Sequence, residues 1–287
     1  LKATAIKQLI AGSTELFSLP DIYFQLSEMI RDSRFSLADI GKVIAKDPAL
    51  SARLLRVVNS PFYGFQAKID TISRAVTVIG IDDLSNLVLA TTVVDRFGKI
   101  PDELIDMTSF WIRSIQCAVI ARLLAKSSAV LHTERLFMAG LLHDIGSLLL
   151  SQKMPEQYLE VLLAANHNRT LLADLEQKLI GFTHAEVGGE LLKTWGLPES
   201  LYETIGCYLT PADAQIHRLD AHLVHMAARL VDSDQQANGL DIAVAEFSNQ
   251  SLTLVRLTRE QIVSTMSQVE EEFLQMFELL GPNKKFH

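Results

Sequence analysis

The chain has 287 residues, 48% of them hydrophobic and 21% charged, with 14 glycines, 8 prolines and a formal net charge of −8. It is long enough for one large domain or two moderate ones, and too apolar and too poor in Gly and Pro for a disordered chain. The acidic balance excludes a general pull toward nucleic acid or anionic lipid, and no apolar run approaches the ~20 residues of a membrane span. The two cysteines, Cys117 and Cys207, form no CxxC pair and no disulfide framework, so a reducing compartment is expected. Lys2 and Lys7 among short apolar runs do not read as a secretory signal, and a soluble, cytoplasmic protein is the expectation.

In chain order, the first ten residues predict a short amphipathic helix ending near Gly12. Leu19-Pro20-Asp21 opens a helix with Ile22, Leu26, Met29 and Ile30 on its apolar side. Ser36 and Asp39 have capping-box spacing, with Asp in place of the usual Glu, before Leu37, Ile40, Val43 and Ile44. Asp47-Pro48 stops that helix and starts the next, because Pro fits a first helical turn. Asn59-Ser60-Pro61-Phe62-Tyr63-Gly64 is a turn, in which the Asn and Ser side chains are expected to bond the backbone. Gly80 closes the following helix, and Asp82 is a candidate cap for the one after it. The Val-rich pieces sit at helical spacing, so no strand hairpin is expected.

Pro101 marks a boundary between subdomains, and Phe110-Trp111-Ile112-Arg113-Ser114 opens a long helix. The stretch Met138 to Leu150 then carries Met138, Leu141, Leu142, Ile145, Leu148 and Leu149 as one helical stripe. Its other face holds Gly140, His143 and Ser147, with Asp144 at the flank and no Lys, Arg or Glu, so the segment should be buried on both sides. Its two glycines each cost about 1 kcal/mol relative to Ala, which makes sense if another backbone or a ligand comes close. Pro155 starts a helix that Asn166-His167-Asn168 ends. Leu171 to Ile180 is amphipathic. Thr183 and Glu186 form a second capping box that puts His184 in a first helical turn, and Gly196 and Pro198 end that helix. Helices follow around 199–208 and 219–232, then a polar stretch from Asp232 to Asp241, and a final helix from Thr258 to Leu280. The last carries an apolar stripe that docks on its own domain or builds a homodimer seam.

An adjacent His-Asp in a buried helix fits a divalent-metal site, since imidazole and carboxylate suit transition metals and a metal activates water. The dipeptide alone is better read as a buried His bonded to its neighbours and an Asp paired with a cation or with backbone. The further ligands decide between these readings.

The order of signals resembles the HDOD domain, a member of the HD-domain superfamily found in bacterial signalling proteins. The resemblance runs through roughly residues 15–230: Leu19-Pro20, Asp47-Pro48-Ala49-Leu50, Leu54 to Ser60, Tyr63-Gly64, Ile69 to Gly80, Phe110-Trp111, Gly140 to Gly146, and His184 with Gly188, Leu191, Trp195 and Leu197-Pro198. It implies an all-α protein, an HD-domain-like helical bundle with an additional N-terminal helical bundle. The corresponding division is an N-terminal subdomain at 1–100, an HD-like subdomain at 101–232 and a C-terminal extension at 233–287.

Active HD phosphohydrolases hold one or two divalent metals. His143 and Asp144 match the signature pair, and His184 matches a later ligand of the related HD-GYP phosphodiesterases. The early His position carries Arg113, a later paired-His position falls near Cys207-Tyr208, and the distal Asp position falls near Ala227-Ala228. Ser147 stands where a lysine can follow the signature in HD-GYP enzymes. Three ligands could hold one ion, but Arg113 would place a fixed charge beside it, and two like charges at ~4 Å repel by about 4 kcal/mol at an effective dielectric near 20. The simpler expectation is an Arg113–Asp144 ion pair in the vacated metal position.

The expected function is a non-catalytic regulatory or interaction module in signal transduction with a vestigial metal site. It would act through a signalling protein partner or a small anionic ligand, with Arg113, Ser147 and Cys207 lining the pocket and no cofactor. Arg113 and the helix N-terminus near His184 both favour an anion. The alternative is a metal-dependent phosphodiesterase or nucleotidase, with Fe, Mn, Zn or Mg on His143, Asp144 and His184. A third reading is DNA binding by Ser36 to Asn59, which has a helix–turn–helix look and carries Lys42, Lys46, Arg53 and Arg56; interspersed acids and the acidic chain favour two ordinary bundle helices. His217, His222 and His225 read as surface or interface residues, and Cys117 as inert core.

Overall fold

The computed structural model describes residues 2–11, 19, 21–32, 34–98, 100, 104–166, 168–233 and 238–281. The expectations that fell on Gly12, Pro20, Pro101, His167 and residues 234–237 lie outside these. All regular structure among the described residues is helical. The chain divides into two compact units, Leu19–Ile100 with Glu270–His287 and Leu1–Ser18 with Pro101–Val269.

The first unit contains α2 (Asp21–Arg31), α3 (Leu37–Ala45), α4 (Pro48–Val58), α5 (Ile72–Ile79) and α6 (Ile81–Phe97), following α1 (Lys2–Ala11) of the other unit. Local chemistry sets these boundaries. Ser36 and Asp39 make the reciprocal capping box of α3, and Asp47 accepts from the backbone of Ala49 and Leu50 at 3.0 Å to cap α4. Gly80, at φ 89°, ends α5 and also starts α6. Asp82 is therefore not the cap; it lies in the first turn of α6 with Asp83, where the helix dipole favours negative charge. Leu26, Ile44, Leu54, Val57, Val58, Ala75, Leu84, Val88 and Phe97 fill the core. Of the basic residues in the suspected helix–turn–helix, Lys42 pairs with Asp39, and Arg53 reaches the Thr91 carbonyl and Asp95.

The second unit adds α7 (Met107–Ser127), α8 (Glu134–Leu142), α9 (Ile145–Lys153), α10 (Pro155–Ala165), α11 (Leu172–Leu179), α12 (His184–Thr194), α13 (Glu199–Cys207), α14 (Arg218–Ser233), α15 (Gly239–Glu246), α16 (Asn249–Val255) and α17 (Arg259–Met266). Helix α7 is its axis, buried almost all round and packed against α8, α14 and α17. The expected helix over 138–150 is two helices, broken at His143-Asp144, because Asp144 leaves helical geometry at φ −104°, ψ 10°. Every residue from Leu136 to Ser151 is buried, as a segment covered on both sides must be.

The expected final helix is also two. Thr258 caps α17, which ends at Met266, and α18 (Val269–Leu280) begins after a turn. Helices α15 and α16 occupy much of a stretch that carried no helical expectation. No single helix among the described residues is long and apolar enough to cross a membrane; α5 and α6 pass such a test only when joined across a 119° bend.

Candidate functional site

The break between α8 and α9 aims His143 and Asp144 at α7. His143 Nδ1–H donates to the Gly140 carbonyl at 2.7 Å, leaving Nε2 as an acceptor 3.2 Å from Arg113 Nη1. The same Nη1 donates to Asp144 Oδ2 at 3.0 Å. Burial and then the Arg113 charge push the His143 imidazole down to about 3, so it is neutral at physiological pH. Burial opposes ionisation of Asp144, but Arg169, His184 and Arg113 outweigh it and hold its carboxyl far below the usual range.

Two further charges complete the group. Arg169, in a 3-10 turn at Arg169–Leu171, donates from Nη2 to Asp144 Oδ2 at 2.5 Å. Asp232, next to last in α14, takes a forked pair of bonds from Arg113: Nε to Oδ1 at 2.9 Å and Nη2 to Oδ2 at 3.3 Å. Arg169 Nε lies 3.6 Å from Asp232 Oδ1. The result is a quartet of two guanidiniums and two carboxylates with no net charge. Ser147 caps the other Asp144 oxygen with a very short hydrogen bond.

His184 stands on the far side of Asp144, its Nε2 3.8 Å from Oδ1. Its Nδ1 bonds Glu176 at 2.7 Å and its Nε2 bonds the Tyr208 hydroxyl at 2.6 Å. Burial works against its positive charge, but the Glu176 carboxylate outweighs burial and raises its pKa. Glu176 also accepts the His184 backbone N–H at 2.9 Å, so the N-terminus of α12 already faces a carboxylate from the chain itself.

The structure thus brings Arg113, His143, Asp144, Ser147 and His184 together. Cys207 is apart from them, half-buried in the wall of a cavity of about 650 Å³ that also reaches Arg113, Arg169, Tyr208 and Asp232; burial raises its thiol pKa. A second cavity, of about 760 Å³, adjoins Asp144, Ser147 and Tyr158. Sequence reasoning missed Arg169, Glu176 and Asp232. The distal Asp position was sought near Ala227-Ala228, both buried and apolar, whereas Asp232 reaches the site one helical turn later. Its i, i+4 relation to Ala228 on a clearly helical stretch was the available signal.

His222 is buried and so is not a surface residue, whereas His225 is half-buried; Nδ1 of each bonds a backbone carbonyl, of Arg218 and Tyr208 respectively. Cys117 is fully buried, and burial raises its thiol well above the usual range.

The HDOD domain model matches residues 16–211. This chain belongs to the HDOD domain family. An HDOD domain protein of unknown function from Geobacter sulfurreducens has a similar fold, at TM-score 0.77 and 22% identity over 96% of this chain and 97% of that one. A Shewanella amazonensis SB2B protein, described as a candidate phosphohydrolase, superposes at TM-score 0.73 with 26% identity over 96% and 98%. An uncharacterized protein of Treponema pallidum (strain Nichols) is 27% identical over 189 residues, 65% of this chain and only 36% of that protein's length. The HDOD match stops before α14, so Asp232, the fourth member of the quartet, comes from outside the matched segment.

Proposed function

We propose that this HDOD chain is a non-catalytic regulatory and interaction module in signal transduction, its HD metal position filled by Arg113. One observation carries the reading: a single guanidinium nitrogen bonds both signature residues, Asp144 at 3.0 Å and His143 Nε2 at 3.2 Å. Those are the lone pairs an ion would need. His184 has both ring nitrogens engaged by Glu176 and Tyr208, and both Asp144 oxygens face donors. Among the described residues no three His, Cys, Asp or Glu side chains are grouped to hold a metal. The donor set as arranged does not fit a divalent ion. The signalling role follows family membership, and the partner proposed is a protein. An external anion would compete with Asp144, Asp232 and Glu176 for donors they already occupy.

A second reading, a metal-dependent phosphohydrolase on His143, Asp144 and His184, is favoured by the approach of His184 Nε2 to 3.8 Å from Asp144 Oδ1. The 26% identical Shewanella protein carries a related description. Elemental analysis of the purified protein, with phosphodiesterase and nucleotidase assays in added Mn²⁺, Fe²⁺ and Zn²⁺, separates the two. The expected result is substoichiometric metal and no turnover. A stoichiometric ion that His143→Ala removes together with turnover would establish the second reading.

A further inference from the structure

The quartet joins four remote pieces of chain: α7 through Arg113, the α8–α9 junction through Asp144, the 3-10 turn through Arg169 and the end of α14 through Asp232. The last connection reaches furthest. Beyond Ser233 the chain continues into α15, α16 and α17, all outside the matched family segment. Helices α15 and α16 pack on α14, and α17 packs on α7. The two helices that carry this C-terminal annex are the two that the Arg113–Asp232 fork ties together.

We propose that the quartet is a latch that seats the annex. It fixes the end of α14 against α7, and the annex is ordered only while that tie holds. This rests on the reading that guanidiniums, and not an ion, fill the metal position. The annex itself is held mainly by apolar packing of Val244, Phe247, Leu252, Val255 and Ile262, which has no directional preference. Its polar ties to the bundle include the half-exposed Arg229–Glu246 pair, easily exchanged for water, and one neutral 3.1 Å contact between the hydroxyls of exposed Ser127 and buried Thr265.

The latch has an accessible member. Arg169 is 35% exposed in its side chain, against 15% for Arg113, 14% for Asp232 and 3% for Asp144. It sits on a three-residue turn and touches the cavity of about 650 Å³ that also meets Arg113, His225 and Asp232. Its withdrawal leaves one guanidinium facing the buried Asp144 and the part-buried Asp232, which weakens the hold on both. A partner that engages Arg169 from this cavity would thereby loosen the end of α14, while the Arg113 fork still holds it.

Hydrogen–deuterium exchange of the full chain tests this. Asp232→Asn and Arg113→Lys, which keeps the charge and loses the fork, are each expected to speed exchange at least tenfold over residues 224–233 and 239–266. Residues 134–153, where Asp144 keeps its bonds from Arg169 and Ser147, should accelerate at least tenfold less than the annex. Asp232→Asn with Arg169→Gln restores charge balance, with Arg113 facing Asp144 alone, and is expected to leave the annex fast-exchanging. Wild-type rates in the annex of either single variant, uniform acceleration along the chain in both, or recovery of the annex in the double variant would overturn the latch. Elemental analysis of the same samples reads the underlying assumption separately: a stoichiometric ion in the wild type removes that assumption whatever the exchange shows.

Discussion

Gly146 lies against His184 so closely that a methyl group on it would sit 2.0 Å from the His184 carbonyl oxygen and 2.8 Å from the Gly188 nitrogen. Helix α9 therefore docks on α12 backbone to backbone, and this contact sets the distance between the Asp144 and His184 side chains. Gly140 does the same against α7, where a methyl would meet Ala118 and the Cys117 carbonyl at 2.7 Å. Neither obstacle can rotate away. Gly146→Ala should cost about 3 kcal/mol or more, the upper end of overpacking penalties. Gly188→Ala should cost about 1 kcal/mol, since its closest neighbour is the Ile205 methyl at 3.2 Å, a side chain that can yield. Urea unfolding of the two variants checks the order; equal losses would show that backbone contact does not set this seam.

Arg113 and Arg169 carry the same charge but should not matter equally. Arg113→Met strips the part-buried Asp232 of its fork and the buried Asp144 of a donor, and an uncompensated buried charge costs about 3–5 kcal/mol. Arg169 is a third exposed, so water offsets much of its loss, and Arg169→Gln should cost about 1 kcal/mol. Arg113→Lys should recover little of the stability, because an ammonium cannot span both carboxylates. Thermal unfolding at matched pH gives the ranking, and a cost for Arg169→Gln as large as for Arg113→Met would contradict this division of roles.

Much of this was legible in the residues, for definite reasons. The capping boxes at Ser36–Asp39 and Thr183–Glu186 and the Asp47-Pro48 junction are local chemistry, and each helix starts where that chemistry says. The small face of 138–150 announced a close approach by another backbone, and Gly140 and Gly146 make it. The Arg113–Asp144 pair was expected from Arg113 standing at the family's early His position, beside the signature Asp144. Arg169, Glu176 and Asp232 were not legible, because their partners lie 25, 8 and 119 residues away and no local pattern encodes those contacts. The break at Asp144 was hidden for a similar reason: the apolar stripe continues through it, and the carboxylate's partners from α7 and the 3-10 turn lie elsewhere in the sequence.

Asn59 organises the first unit's longest turn. Its Oδ1 accepts the Ile69 N–H at 2.7 Å while its Nδ2 donates to the Ile69 and Leu55 carbonyls, each at 2.7 Å. The amide closes the ten-residue loop as a strand partner would. Asn59→Asp keeps the acceptor but sets a carboxylate against two carbonyl oxygens, so it should destabilise by about 2 kcal/mol or more, no less than Asn59→Ala. Limited proteolysis within 60–68 should accelerate in both variants. A neutral Asn59→Asp would show that the two donated bonds contribute nothing.

His143 gives the fold a pH dependence whose sign can be worked out. Its folded pKa lies at about 3, below the unfolded value near 6.5, so between those limits the unfolded chain binds the extra proton. Stability is then fully present above about 6.5 and falls as pH drops toward 3, with a slope approaching about 1.4 kcal/mol per pH unit from this residue. His184 acts in the opposite sense and in a different window: its raised pKa confers stability that is complete below about 6.5 and lost as pH rises through the folded value. Asp144, held far below its ordinary pKa, contributes stability that is complete above about 4 and lost only as pH falls below it. Between pH 4.5 and 6.5 His143 acts together with His225, whose pKa burial also lowers, so urea unfolding of wild type against a His143 variant over that interval reads the His143 share. His143→Asn is expected to lower stability at pH 7 and to flatten the slope over that interval. A slope that the substitution leaves unchanged would mean that burial and the Arg113 charge do not keep His143 neutral in the folded chain.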